Sequence, residues 1–255
     1  MKVIAIIQAR MGSSRLPNKV MMDIEGKPVL CHIINRLHFS KMINRIIIAT
    51  TTSPSDDAIA KFASDNGVEF FRGSENDVLD RYYQTAKYIG AGSSDAVIRI
   101  TGDCPLIDPE VVDKVVELYK TSNADYVSNI NPPTFPDGLD TEVFKFEMLE
   151  KAWKDAKMMS EREHVTLYIR NHPEIFYMEN LNNHKDYSNL RWTVDEKEDL
   201  EVVKVIYENL YSKGKPFLME DILNLLEKNS SIQEKNKKFI RNEGLIKSLM
   251  NDREI

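Results

Sequence analysis

The stretch Gln8-Ala9-Arg10-Met11-Gly12-Ser13-Ser14-Arg15-Leu16-Pro17-Asn18-Lys19 places small residues and three cations directly after the first apolar run of the chain. Gly12, Ser13 and Ser14 let backbone N–H groups come close to an anion. Arg10, Arg15 and Lys19 can neutralise a triphosphate and the charge that builds on a departing pyrophosphate. The stretch lacks the Gly-Lys-Ser/Thr ending of a Walker A loop and the spacing of the dinucleotide G-x-G-x-x-G turn. On spacing alone, a solvated basic turn stays open as a reading.

Two aspartates complement these cations. Asp103 follows an apolar run and Gly102, in Thr101-Gly102-Asp103-Cys104-Pro105, where its carboxylate would emerge beside the N-terminal loop. Mg²⁺ prefers a few carboxylate oxygens together with phosphates and water, so one or two such residues suffice. Asp195 is the natural second ligand, although read locally it is a helix N-cap ahead of Glu-rich sequence. Asp108, just before Pro109, fits a cap and nothing more.

Further polar groups are candidates for the two substrates. Ala49, Thr50 and Thr51 end an apolar run, where backbone groups could read a pyrimidine edge; Arg72, Ser74 and Asp77 follow in the next loop, and Asp77 also reads as a cap. Asp137-Gly138-Leu139-Asp140-Thr141-Glu142 carries three acids and a glycine, suited to a polyhydroxy acceptor or to an exposed acidic turn. Arg162, Glu163 and His164 form a compact polar cluster, of which Glu163 and His164 are acceptor-site candidates, although a lone His is more often structural. Arg191 could pair with an acceptor carboxylate through its planar fork. Trp192, Tyr82 and Tyr83 read as core.

These groups need a scaffold that brings them to one rim. Apolar runs at 3–7, 46–49, 68–71 and 96–100 read as strands, and the segments 29–37, 55–66, 77–89 and 109–120 have helical spacing. Strands apolar throughout and separated by helices predict an α/β fold: a Rossmann-like, mostly parallel sheet covered on both faces, with ligands at the carboxyl ends of its strands. A short strand is expected at 190–194, with a helix from about 198. From 131 to 190 the pattern loosens around Pro132, Pro133 and Pro136. This region reads as a small acceptor-side or dimer-contact excursion from a single domain spanning 1–255, and a homodimer is expected.

Length and composition narrow the field further. A chain of 255 residues can bury a substantial core in one domain. The net charge of −6 means that a polyanion must be held by a local cation cluster, so nucleic acid is not an expected partner. Cys31 and Cys104 are too few for a disulfide framework or a zinc cluster, which fits a reducing cytoplasm. No run approaches the roughly 20 apolar residues of a membrane helix, so no membrane association is expected.

Taken in order, residues 7–20, Asp23-Ile24-Glu25-Gly26-Lys27-Pro28, Arg72-Gly73-Ser74-Glu75-Asn76-Asp77, Arg99-Ile100-Thr101-Gly102-Asp103-Cys104-Pro105, residues 137–142, Arg162-Glu163-His164 and Leu190-Arg191-Trp192-Thr193-Val194-Asp195 resemble the cytidylyltransferase family of CMP-sialate and CMP-Kdo synthetases. The chain is most like its SpsF-like spore-coat polysaccharide branch. The resemblance implies CTP and a small anionic acceptor as partners, and Mg²⁺ as cofactor on Asp103 and Asp195. It also implies nucleotide contacts from Ala9, Gly12, Ser13, Ser14, Thr50, Thr51, Arg72, Ser74 and Asp77. The expected reaction is in-line attack of an acceptor oxygen on the α-phosphorus, with pyrophosphate leaving. A nucleotide-sugar glycosyltransferase would share the sheet, but the Asp-x-Asp pair expected of one is replaced by Gly102-Asp103-Cys104. A binding module that has lost turnover would not need Arg10, Arg15, Lys19, Asp103 and Asp195 together.

Overall fold

The computed structural model describes residues 1–255. In chain order the elements are β1 (Val3–Gln8), a 3₁₀ turn (Lys19–Met21), β2 (Asp23–Ile24), β3 (Lys27–Pro28), α1 (Val29–Leu37), β4 (Arg45–Thr51), a 3₁₀ turn (Pro54–Asp56), α2 (Asp57–Asp65), β5 (Glu69–Gly73), α3 (Val78–Tyr88), β6 (Ala96–Thr101), α4 (Pro109–Ser122) and β7 (Tyr126–Ser128). They continue with β8 (Glu142–Lys145), α5 (Phe146–Asp155), α6 (Met159–Glu163), α7 (Leu167–Asn171), β9 (Met178–Asn180), α8 (Lys197–Leu210), α9 (Met219–Lys228), α10 (Ser231–Glu234) and α11 (Glu243–Met250). Seven strands form one sheet in the order β5-β4-β1-β6-β8-β7-β9, and β2 pairs with β3 alone. Only β8 runs against its neighbours. The sheet is therefore mostly parallel, as the uninterrupted apolar strands predict.

Period-2 alternation in a strand buried on both sides builds two cores at once. Val3, Ala5 and Ile7 of β1 enter the larger core, with α1, α4, α8 and α9, whereas Ile4 and Ile6 enter the second, with α3, α5 and α7. Trp192 is buried in the first core, and Tyr82 and Tyr83 in the second, as volume fillers. Asp108 caps α4 by accepting from the amides of Glu110 and Val111, ahead of Pro109 in the first turn. No helix is long and apolar enough to cross a membrane.

Three expectations need correction. The helix expected at 55–66 begins as the Pro54–Asp56 turn, because Asp56 turns its carboxylate back to the Thr51 amide instead of capping outward. No strand forms at 190–194: the Trp192 amide donates to Asp137 O at 2.6 Å and the Val194 amide to Asp103 O at 2.8 Å, leaving only a single bridge between Asp137 and Arg191. The region 131–190 is not an excursion. It supplies β8, which lies inside the sheet between β6 and β7, and the edge strand β9. At four residues with a charge at its start, β8 is too short to announce itself by alternation.

Candidate active site

The loop after β1 is held from below. Asp56, buried, accepts from the Met11 amide at 2.7 Å and from the amide and hydroxyl of Thr51, so β4 and the following turn fix where the loop begins. Met11 O in turn accepts from the amides of Ser13 and Asn18, both at 2.9 Å, folding the loop back on itself. Asn18 closes it with φ of 63°, in the left-handed region that Asn tolerates. The amides of Gly12, Ser14 and Arg15 find no partner within the protein. Adjacent free N–H groups such as those of Ser14 and Arg15 can form a concave anion site.

Asp103 reaches the loop because Gly102 has no side chain. A Cβ at Gly102 would lie 2.7 Å from Gln8 O and 3.1 Å from the Ala9 Cβ, and the Gly102 amide donates to that same carbonyl at 2.8 Å. Asp195 comes from the other side. Arg191, buried, donates two bonds to Asp199 at 2.9 and 3.0 Å, one to Asp195 at 2.9 Å and one to Asp137 at 3.1 Å. Asp199 also accepts from the amides of Asp195 and Glu196, forming the capping box of α8. Asp195 is thus oriented by the cap and does not serve as the cap. Gly138, with φ of 107°, lets the Asp137 loop press on Trp192, where a Cβ would meet backbone at 2.6 Å.

Lys19 joins the two aspartates. Its Nζ lies 2.6 Å from Asp103 Oδ2 and 2.7 Å from Asp195 Oδ1, and Arg15 reaches Asp195 at 2.9 Å. Burial alone would lower the Lys19 pKa, but the two carboxylates outweigh it and hold the ammonium above its ordinary value. Burial would likewise raise Asp103, yet Lys19 brings it down to about 2. Two carboxylate oxygens therefore converge on one cation-sized point. Hard, charged and close enough to share a cation, they fit Mg²⁺ completed by phosphate oxygens and water. No cluster of three or more His, Cys, Asp or Glu that could hold a metal is present in the chain.

The far wall comes from α6 and α11. Val165, at φ of 50°, reverses the chain between α6 and α7, an uncommon conformation for a β-branched residue; it buries its own side chain and leaves His164 on the cavity wall. Ser248 of α11 lies 2.7 Å from Glu163 and 3.0 Å from His164 Nε2. A carboxylate only accepts, so the Ser248 proton goes to Glu163 and His164 Nε2–H donates to Ser248, leaving Nδ1 with a free lone pair. Burial and nearby Arg99 lower the His164 pKa to about 4, so it is neutral at physiological pH.

Together these groups line a cavity of about 280 Å³. Its wall carries the cations Arg10, Arg15, Lys19, Arg81, Arg99 and Lys247 against the carboxylates Asp103, Glu163 and Asp195. The local excess of positive charge reverses the sign of the whole protein, as polyanion binding requires. Arg10 has no ion-pair partner and stands ready for a ligand, whereas Arg15 is shared among Asp195, Glu196 and Glu243.

Among the predicted residues, Ala9, Arg10, Ser13, Ser14, Arg15, Lys19, Asp103, Glu163, His164 and Asp195 meet at this cavity, and Gly12 sits exposed just outside its wall. The others do not. Thr50 and Thr51 are buried, Thr51 being spent on Asp56; Arg72 donates to Thr51 O, Ser53 O and Asp57, locking the sheet edge. Ser74 accepts from the Asp77 amide, and Asp77 caps α3 and pairs with Arg162. Asp137 is taken by Arg191 and Asp140 by Arg241, and burial raises both carboxyls, Asp140 to about 7. Glu142 faces Arg99 across the β6–β8 register at 2.6 Å and also accepts from Tyr126 and Thr166, beneath the cavity floor. Arg191 has no free edge for an acceptor, since three carboxylates occupy it.

Sequence reasoning missed Gln8, Arg81, Arg99 and Lys247 on the wall, and Asp199 behind it. Glu196 and Asp199, three apart before an apolar run, form a capping-box spacing that could have marked Asp199 as the orienting residue. Lys247 had no signal, because only folding brings α11 back across the sheet rim.

Three similarities bear on the family. The chain is 34% identical over 213 residues to the spore coat polysaccharide biosynthesis protein SpsF of Bacillus subtilis, covering 81% of this chain and 86% of that one. A cytidylyltransferase structure from Leptospira borgpetersenii superposes with a TM-score of 0.86 at 36% identity, over 94% of this chain and all of that one. A CMP:2-keto-3-deoxy-manno-octonic acid synthetase complexed with CTP shares the fold, with a TM-score of 0.61 at 19% identity over 82% of this chain and 99% of that one. The cytidylyltransferase family pattern matches residues 4–244, and the chain belongs to that family.

Proposed function

We propose that this chain transfers a CMP group from CTP to a small sugar acid, releasing pyrophosphate, in the synthesis of a surface polysaccharide. The observation that carries the reading is a single cavity wall that carries Ser14 and Arg15, whose amides have no partner, and the free Arg10 together with Lys19 and its two aspartates. The reading is supported by what the similar proteins are: a spore coat polysaccharide protein and a CTP-bound synthetase of an octulosonic acid derivative.

In this reading the loop amides and Arg10 hold the β- and γ-phosphates, and Arg15 turns from Asp195 and Glu243 toward them. An acceptor hydroxyl oxygen attacks the α-phosphorus and gives its proton to the Glu163 carboxylate, the new O–P bond forms as the α–β bridge breaks, and pyrophosphate carries away the electron pair. Asp103 and Asp195 would hold Mg²⁺, which when bound supplies charge neutralisation at the phosphates. Lys19 then moves its ammonium from the carboxylates to the α-phosphate, where charge develops. The buried Gln8 amide oxygen, which lacks any partner, is placed to accept from the amino group of cytosine. On the acceptor side, Lys247 pairs with the sugar carboxylate, and Glu163 and the His164 lone pair take hydroxyl hydrogen bonds. With a pKa of about 4, His164 orients a hydroxyl and is too weak a base to ionise it.

The test is pyrophosphate release with each of four nucleoside triphosphates against a panel of sugar acids, without any sugar nucleotide. CTP with a sugar acid should be the productive pair; release with UTP, dTTP or ATP alone, or with no acid in the panel, would overturn the assignment.

A further inference from the structure

A second cavity lies apart from the one described above. It encloses about 370 Å³ between α1, the end of α8 and the turn before α9, and shares no residue with the reaction cavity. That volume falls in the range of small-molecule sites. Its walls carry Lys27, Arg36, Lys213 and Lys215 but not a single Asp or Glu, on a protein whose net charge is −6. Lys27, Lys213 and Lys215 form no ion pair, so no carboxylate of the chain cancels their charge. Unmatched like charges around a concavity repel one another and focus a positive potential into it.

The floor is aromatic. His32 lies 4.3 Å from the Tyr207 ring and 5.5 Å from Tyr211, centroid to centroid, and Phe217 meets Tyr207 at 5.2 Å. Phe39 stands at the mouth, 42% exposed. Such a floor favours a planar ring. His32 Nε2 lies 2.7 Å from Ile24 O and must donate to it, so Nδ1 keeps an accepting lone pair. Arg36 is fixed below by bonds to Ile107 O and Phe217 O and by stacking on Phe217. The site therefore joins a cationic rim, a ring-sized aromatic floor and an acceptor.

We infer that this cavity is a second ligand site, taking a nucleoside monophosphate whose base carries an amino group. The phosphate sits among Lys27, Lys213 and Lys215, and the base lies against Tyr211 and Phe39 with its amino group toward His32. The inference stands apart from the transfer reaction, because no residue is common to the two cavities.

The experiment is a titration of the full chain with AMP, CMP and ribose 5-phosphate at low salt, read by calorimetry and by hydrogen–deuterium exchange. Protection should appear in peptides covering residues 27–39 and 207–217. The double variant Lys213→Glu/Lys215→Glu, altered only at exposed positions, should weaken AMP binding tenfold or more and keep wild-type turnover in the absence of AMP. Ribose 5-phosphate should bind at least tenfold more weakly than AMP. Protection confined to residues 8–20, or wild-type affinity in the double variant, would overturn the site; equal binding of ribose 5-phosphate would overturn its aromatic half.

Discussion

Replacing Lys19 by Met keeps the apolar stem and removes the charge that holds Asp103 and Asp195 together. Asp195 retains Arg15 and Arg191, but Asp103 loses its only cation. The Asp103 carboxyl stands at about 2 in the fold against an ordinary 3.8, so its ionised form is stabilised by Lys19. That share of stability is present above pH 3.8 and lost as pH falls toward 2. Taking one partner from a buried pair costs about 3–5 kcal/mol, and because both carboxylates keep some solvent contact the lower end, about 3 kcal/mol, applies. For a chain of this size this amounts to a fall of roughly 6 °C in the midpoint of thermal unfolding. Millimolar Mg²⁺ should restore most of the loss in Lys19→Met while moving the wild type less, since in the wild type the ammonium already fills that position. Turnover should stay lost in both conditions. The assay is thermal unfolding at pH 7 with Mg²⁺ or with chelator, paired with pyrophosphate release. A variant that melts with the wild type and ignores Mg²⁺ would refute the idea that the three groups form one cation-centred unit.

Other outcomes follow from the same geometry. Arg10→Ala, touching no protein carboxylate, should leave the melting temperature within about 1 °C and lower kcat by roughly 10²–10³, as removal of a transition-state donor does; a change confined to KM would place Arg10 in ground-state binding. Lys247→Ala should raise KM for the acid acceptor about tenfold with little effect on KM for CTP, measured by varying each substrate separately. His164, depressed to about 4 in the fold, leaves the unfolded chain binding more protons between pH 6.5 and 4. Stability should therefore fall on acidification through that window, by about 2–3 kcal/mol, and His164→Asn should flatten this part of the urea-unfolding profile. Met159, Ile175 and Tyr177, 40%, 42% and 53% exposed, are the large apolar groups exposed within the 131–190 region, and a homodimer built through that region would bury them. Ile175→Glu/Tyr177→Glu should shift a homodimer to monomer by light scattering, and an unchanged mass would move the contact elsewhere.

What the sequence revealed, and what it withheld, divide along physical lines. β1 is apolar from Val3 to Ile7 and β6 is apolar apart from Arg99, a pattern that a sheet buried on both faces supports, and the residues that follow them, the loop from Ala9 and Asp103, had to share a rim. The cations of the loop were legible because small residues beside Arg and Lys leave few structural uses. The acidic stretch from Asp137 to Glu142 misled, since composition does not tell a carboxylate offered to a sugar from one already spent on Arg191, Arg241 or Arg99. Thr50 and Thr51 misled in the same way: a strand end shows a hydroxyl, not its partner. Lys247 lay beyond sequence reasoning altogether, because its place at the cavity depends on a return of the chain held by contacts such as Ser160 with Asp252, 92 positions apart.

Lys19 has one more consequence. An acidic pocket that relied on a divalent ion for its counter-charge would loosen whenever that ion became scarce. Here a lysine stands in as an internal placeholder, so the two carboxylates stay neutralised and the pocket keeps its shape whether or not a cation is at hand.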